Sequence, residues 1–458
     1  MSSDLEKGSL SEKSYAAGAT LGNPNASTTQ EASAFAASIA DSEPTAVDHN
    51  HHPDDAFVEG GLRGYLTVLG AFLALFCSFG LISSFGTFQS WYADHQLYRS
   101  PSAISWIGSL QLWVFFFSGG FIGRIFDCHG PRLVMVLGAL LHSFSLMMTS
   151  LSTEYYQFIL CQGILFGLST GMLFYPSLAS VSTHFKRYRA TAIGIAVAGS
   201  SVGGIVYPIM LDTLFPRLGF AWTVRILGFM GLGCSSIAVA LVSRRPSPGK
   251  TPATRWCDCH ITKDAPFLLL VLGSFLVCFG IFIPYFYIVS YSAAHAVSVT
   301  RGISRSFYLL SIMNAGGVLG RIAPAYLSDA VGRFNLLVPS ALLSGVLCLA
   351  LWTTAETRGA LVAFAFLYGF FSGAFISGIN PCVAQISEMS QVGTRIGMLY
   401  TLVSLPSLFG GPAAGALLAR AHGSYIPMTI LSGVTLVVGS LIILCSKLKI
   451  DRRVCAQV

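Results

Sequence analysis

Charge is what this 458-residue chain has least of: Asp, Glu, Lys and Arg make up 10% of it, against 53% hydrophobic residues. Ordinary soluble domains carry roughly 25% charged residues. So few ions cannot cover a water-exposed globule, which excludes a soluble domain and makes the bilayer the solvent. Acids are scarcer still where the chain is apolar. Ten of the twenty precede Gly60, leaving ten against twenty-five Lys and Arg. None falls deep in an apolar run, since Asp212, Glu154 and Glu388 all lie near ends. The surplus of basic residues has no solvated face on which to track phosphates, so no nucleic-acid partner is expected.

Other things are missing too. MSSDLEKGSL offers neither the basic stretch nor the apolar core of a cleavable leader, and residues 1–57, rich in Ser, Ala, Thr and acids, read as a disordered tail. Most of the eleven cysteines sit inside apolar runs, so no disulfide framework is expected. CDCH (257–260) and HNHH (49–52) lack the paired spacing of a zinc site. PGKT (248–251) has Arg244 where a phosphate loop needs its leading glycine. No metal and no cofactor is implied.

What the chain does contain is apolar runs long enough to cross hydrocarbon, which takes roughly 20 residues of helix. Twelve are found, beginning near residues 65, 103, 133, 156, 190, 221, 266, 305, 335, 359, 396 and 425. The expected fold is therefore all-α, with twelve transmembrane helices. Sixteen Lys and Arg fall on the side of the even-numbered connections and the C-terminus, against six on the other, which predicts both termini in the cytoplasm. The longest connection, 243–265, divides the runs into bundles at 58–242 and 266–446, leaving 447–458 as a second tail.

The two bundles repeat each other. Asp127 and Asp329, Gly130 and Gly332, Gly167 and Gly369, and Gly171 and Gly373 are all 202 residues apart, and SSVGG (200–204) faces SLFGG (407–411) at a slightly larger offset. Duplicated six-helix halves suit a transporter that rocks about a midplane site.

GRIFDCHGPR (123–132) and AYLSDAVGRF (325–334) resemble the two copies of the loop signature of the major facilitator superfamily, Gly-x-Leu-Ala-Asp-x-x-Gly-Arg. The second copy departs by Ala325 in place of the first glycine; the first has Phe126 and an inserted Pro131. The resemblance implies gating by Gly123, Arg124, Asp127, Gly130, Arg132, Asp329, Gly332 and Arg333, with Lys186 and Arg189 as basic partners at the same end. A carboxylate at a helix N-terminus beside arginine is favoured by dipole and charge alike.

VEGGLRGYLTVLGAF (58–72) and HFKRYRATAIGIAVAGSSVGG (184–204) look like signatures of the monocarboxylate porter branch, closest to its fungal members. The likeness implies a small-molecule cargo, an organic anion in the first place, with riboflavin-like or other neutral aromatic metabolites as the alternative, and a plasma-membrane location. In the second stretch Ala190, Ala192, Gly194, Ala196, Ala198, Gly199, Gly203 and Gly204 leave a helix thin enough for others to press against. Of the lysine, aspartate and arginine that proton-coupled lactate carriers use, the first two fall at Ser83 and Gly317, and only Arg321 survives. That puts lactate-type proton coupling in doubt, with His142 as the candidate relay.

Arg321 is the leading cargo contact, because arginine within a span costs roughly 2.5 to 3.5 kcal/mol on insertion scales and its fork suits a carboxylate. Asn314, Asn380, Ser83, Ser84 and Tyr285 complete the expected cavity. Arg225 is expected to snorkel and Tyr291 to join an aromatic belt. A non-transporting sensor on the same fold would need a long cytoplasmic domain, for which neither tail nor the central connection has room. Nothing in the sequence speaks to oligomeric state.

Overall fold

Backbone that enters hydrocarbon must satisfy its hydrogen bonds within its own segment, and this chain does so by helix. The computed structural model describes residues 60–97, 99–185, 188–245, 264–294, 307–355, 357–387 and 392–450, with backbone alone for Gln96, Asp127, Phe307, Asp329, Ala330 and 392–394. The expected N-terminal tail, most of the central connection, CDCH, HNHH, PGKT and Lys186 lie outside the described residues.

The helices are α1 Gly61–Cys77, α2 Phe79–Ser83, α3 Phe85–Trp91, α4 Pro101–His129, α5 Pro131–Leu151, α6 Tyr155–Phe158, α7 Phe166–His184, α8 Arg189–Leu241, α9 Ala265–Ile281, α10 Ile283–Ala294, α11 Phe307–Val331, α12 Arg333–Leu347, α13 Arg358–Gln385, α14 Val392–Arg420 and α15 Ile426–Ile450. Among the described residues, ten continuous segments are long and apolar enough to cross a membrane. Two details bring that to the twelve expected crossings. α8 is one segment by hydrogen bonding but turns at Gly219, whose φ of 73° breaks the helical path. α11 is diluted by Asn314 and Arg321 and so falls short of the apolarity of the others.

The first crossing is broken at Ser78 and Ser84. Hydroxyls there bond carbonyls one turn back: Ser78 to Ala74 at 2.6 Å, Ser83 to Phe79 at 3.1 Å and Ser84 to Gly80 at 3.0 Å, a habit that bends helices. The seventh breaks at Phe282, two residues before Pro284, whose ring cannot continue the hydrogen-bond ladder. α15 runs to Ile450, past the expected boundary at Ser446, because the Lys447 ammonium reaches the Asn335 side chain and is buried there. Tyr291 is not in an aromatic belt: it is 4% exposed, donates to the Trp352 carbonyl at 3.3 Å and packs edge-on against Tyr425. Arg225, half-buried, donates to Ser150 at 3.2 Å and lies over the Trp222 ring.

The internal repeat is written in the packing. Gly130 joins α4 to α5 with φ 75°, and Gly332 joins α11 to α12 with φ 99°, a region that side chains with a Cβ rarely enter. Those junctions are so short that the preceding helices run up to them. Asp127 and Asp329 therefore sit in the last turns of α4 and α11, not in the turns as the sequence suggested. Deeper in the bundles, Gly167 on α7 presses on the Gln111 carbonyl of α4, and Gly369 on α13 presses on the Met313 carbonyl of α11. Both partners in that contact are displaced by 202 residues.

Two helix pairs make the most extensive contacts between the halves, α8 with α11 and α4 with α14, with α3 against α10 and α8 against α13 adding smaller ones. The thin helix predicted at 190–204 is thin on two faces. Gly199 and Gly203 receive the Phe72 and Phe76 carbonyls of α1, while a Cβ at Gly194 would lie 2.8 Å from the Arg321 carbonyl and Gly204 is covered by the Asn314 amide. The second pair mirrors the first, with Gly411 of α14 against Ser109 of α4. Close glycine-mediated approach is the usual way helices associate where lipid removes the hydrophobic drive.

Candidate functional site

Between the halves, midway along α11, lies Arg321. It is 1% exposed and donates through one terminal nitrogen to the Val197 carbonyl at 3.2 Å and to the Ser200 hydroxyl, both on α8 of the other half. Its Nε has no partner among the described residues. A guanidinium with an idle donor in a low-dielectric interior is costly unless an anion or water meets it in some state. Lys447 and Arg395 are also buried, but at helix ends and already engaged: Arg395 pairs with Asp264 at 2.6 Å and donates to the Ile386 carbonyl at 3.0 Å.

Tyr285 stands within reach of the Arg321 charge and shares a 3.1 Å hydrogen bond with Ser372. One turn earlier, Phe282 starts an aromatic chain that crosses the seam. Phe282 lies 6.2 Å from Phe116 of α4, Phe116 stacks on Tyr400 of α14 at 5.5 Å and 11°, and Tyr400 meets Tyr175 of α7 edge-on at 5.8 Å. Asn380 of α13 faces the Tyr400 hydroxyl, and its Oδ1 has no other partner among the described residues. Phe282, Tyr175 and Asn380 are only half-buried.

The other sequence candidates are spread out. Asn314 is 1% exposed in the α8–α11 seam, with Nδ2 on the Leu310 carbonyl at 2.9 Å and Oδ1 unpartnered. Ser83 and Ser84 use their hydroxyls on their own helix, at its break. His142 is 1% exposed, its ring 4.9 Å from Phe166 and against Gly231, inside one half and away from the seam. At the end bearing the Gly130 and Gly332 turns, Arg124, Arg189 and Arg333 are half-buried and Arg132 is exposed. A Cβ at Gly123 would meet nothing. Arg333 donates to the Pro381 carbonyl at 3.1 Å, and Arg189, from the other half, is close enough to repel it. The side chains of Asp127 and Asp329 lie outside the described residues.

Arg321, Tyr285 and Asn380 were candidates from sequence; Phe116, Tyr175, Phe282 and Tyr400, which the structure brings near them, were not. Aromatic residues make up 12% of the chain, and no spacing marks the few that meet across a seam.

The sequence profile described as Major Facilitator Superfamily matches residues 71–357 and 302–453. Among similar proteins is the MFS transporter asaE of Aspergillus flavus, 38% identical over 86% of this chain and 89% of its own length. Others are the Agnestins efflux protein AgnL12 of Paecilomyces divaricatus, 39% identical over 85% of this chain and 88% of that one, and the Aspyridones efflux protein apdF of Emericella nidulans, 37% identical over 87% and 81%.

Proposed function

The chain belongs to the Major Facilitator Superfamily, a family of membrane transporters and not of enzymes, and from that premise we propose that it exports a small organic anion with an aromatic body, a secondary metabolite, by alternating access. The observation that carries the reading is Arg321: a cation buried in the seam midway along α11, its Nε without a partner among the described residues. Two relatives carry names of efflux proteins for agnestins and aspyridones, which supports export over uptake. The likeness to monocarboxylate porters supports a carboxylate or comparably acidic group as the part that Arg321 receives.

In this reading the acidic group meets Arg321 while the ring system enters between Phe116, Tyr175 and Tyr400, whose contacts across the seam must part for the halves to rock. Stacked or edge-on ring pairs are worth roughly 0.5 to 1.5 kcal/mol beyond burial, so a conjugated cargo replaces what the rings lose. Asn380 then reads a hydroxyl or amide on the cargo. Tyr400→Ala is expected to weaken export of an aromatic cargo by about tenfold with Tyr400→Phe near the parent, a difference of about 1.4 kcal/mol. Equal loss in both variants would transfer the effect from the ring to the hydroxyl.

The cations at the Gly130 end support a gate there. Arg189 and Arg333 come from opposite halves and repel, so closure needs carboxylates, and Asp127 and Asp329 end the two adjoining helices. Asp127→Asn or Asp329→Asn is expected to slow turnover more than it raises the half-saturation concentration. An unchanged turnover with a raised half-saturation concentration contradicts the gating role. With this end in the cytoplasm and the protein in the plasma membrane, the cargo leaves the cell. The test of the reading is metabolite profiling of cells and medium with Arg321 intact and replaced.

A further inference from the structure

At the end of the bundle away from the Gly130 turn, polar side chains are buried where membrane interiors tolerate them least. Thr87 and Gln89 on α3 and Ser109 on α4 are 0%, 3% and 0% exposed, yet Thr87 Oγ1, Gln89 Oε1 and Ser109 Oγ have no hydrogen-bond partner among the described residues. Ser169 and Ser200, equally buried, donate to carbonyls of their own helices at 2.8 and 2.7 Å, whereas Thr170, Ser201 and Ser274 are orphaned elsewhere in the bundle.

Ser109 and Gln89 face the other half. A Cβ at Gly411 of α14 would lie 2.6 Å from Ser109 Oγ. Gln89 and Ser105 face the hydroxyl of Tyr287 on α10, which donates to the Gly411 carbonyl at 3.1 Å. Closure is by backbone: Gly86 of α3 lies directly against the Tyr285 carbonyl, Ser102 of α4 donates to the Pro412 carbonyl at 3.0 Å, and a Cβ at Gly415 would meet Ser102 Cα at 2.7 Å. A polar layer is thus packed between α3 and α4 on one side and α10 and α14 on the other.

A buried donor or acceptor left unpaired costs free energy that the same shape in carbon would not, and the penalty is sharper in a bilayer, where no solvent intrudes. Groups that go unsatisfied in one conformation find their partners in another. From this geometry we infer that Thr87, Gln89, Ser105, Ser109 and Tyr287 line a hydrogen-bonding vestibule on the cargo route, collapsed here and wetted when the glycine-lined seam parts. Its ligands are water and the neutral oxygens of the cargo, hydroxyl and carbonyl groups, in contrast to the acidic group assigned to Arg321. The vestibule rests on the alternating-access reading but not on the cargo's charge. If Arg321 variants still export, the vestibule stands; if the seam never opens, the anion site stands.

The test uses the full chain purified in detergent and the charged thiol reagent MTSET, with adducts counted by mass against the parent. Ser109→Cys is expected to react slowly. Adding Gly415→Leu, a wedge across the seam, is expected to raise that rate at least ~tenfold by shifting the closed–open equilibrium. Ser169→Cys, equally buried but inside one half, is expected to stay unreactive with or without the wedge. A rate at Ser109→Cys that the wedge leaves unchanged, or one matched by Ser169→Cys, overturns the proposal. A second measurement needs no wedge: Thr87→Val and Ser109→Ala, which remove the orphaned hydroxyls, are expected to raise the thermal midpoint. A lowered midpoint in both means that the hydroxyls hold the closed seam together, and the vestibule is wrong.

Discussion

Replacing Arg321 with alanine is expected to abolish export while the protein still accumulates in the membrane. The guanidinium is 1% exposed and spends one nitrogen on Val197 and Ser200 while its Nε stays idle. A hydrogen bond to a charged group is worth about 1.5 to 3 kcal/mol, and a two-point contact with a carboxylate uses two. Losing them costs roughly a hundredfold or more in cargo engagement. Alanine also leaves a void between α8 and α11, so a second variant separates the effects. Arg321→Met keeps the length and removes the charge, and apolar residues of similar volume in place of a buried charge are often neutral or stabilising. Arg321→Met is therefore expected to match or exceed the parent's thermal midpoint while failing to export. Arg321→Lys keeps charge but not the fork and is expected to fall between. Export by Arg321→Met at the parental rate would make the arginine a strut between halves and nothing more.

Gly369→Val is expected to leave little folded protein. The α13 backbone sits directly on the Met313 carbonyl of α11, so a side chain there has no room without parting the two helices. Overpacking typically costs about 1 to 3 kcal/mol and more where backbone must move. Its repeat partner offers an internal comparison: at Gly167 a Cβ would lie 2.6 Å from the Gln111 carbonyl, so Gly167→Val is expected to destabilise, but less. The measurement is the fraction of monodisperse protein that survives heating in detergent. Gly369→Val indistinguishable from the parent would contradict the packing described for the second half.

The fold was legible because lipid leaves few choices. Apolar length and the 202-residue repeat each follow from physics that acts on sequence directly. Gly167 and Gly369 could be paired from the chain alone, though not the carbonyls they press on. The site was legible where a residue is anomalous for its surroundings: an arginine inside a span declares itself, and so did Arg321. Aromatics declare nothing in a chain rich in them, which is why Phe116, Tyr175 and Tyr400 went unread. Ser83 and Ser84 show what sequence leaves out. A serine in a span reads as a cavity group, but the acceptor nearest to it is its own helix, and both use it. Thr87 and Ser109 look no different in sequence, and only the packing around them makes them orphans.

The account's central claim is export of an acidic, aromatic small molecule. Its most direct test is untargeted metabolite profiling of cells and medium, with the gene deleted and overexpressed in its native host. The predicted result is one acidic aromatic compound that accumulates inside the deletion strain and in the medium of the overexpressing one. No compound changing its distribution, or a neutral aliphatic one doing so, would contradict it.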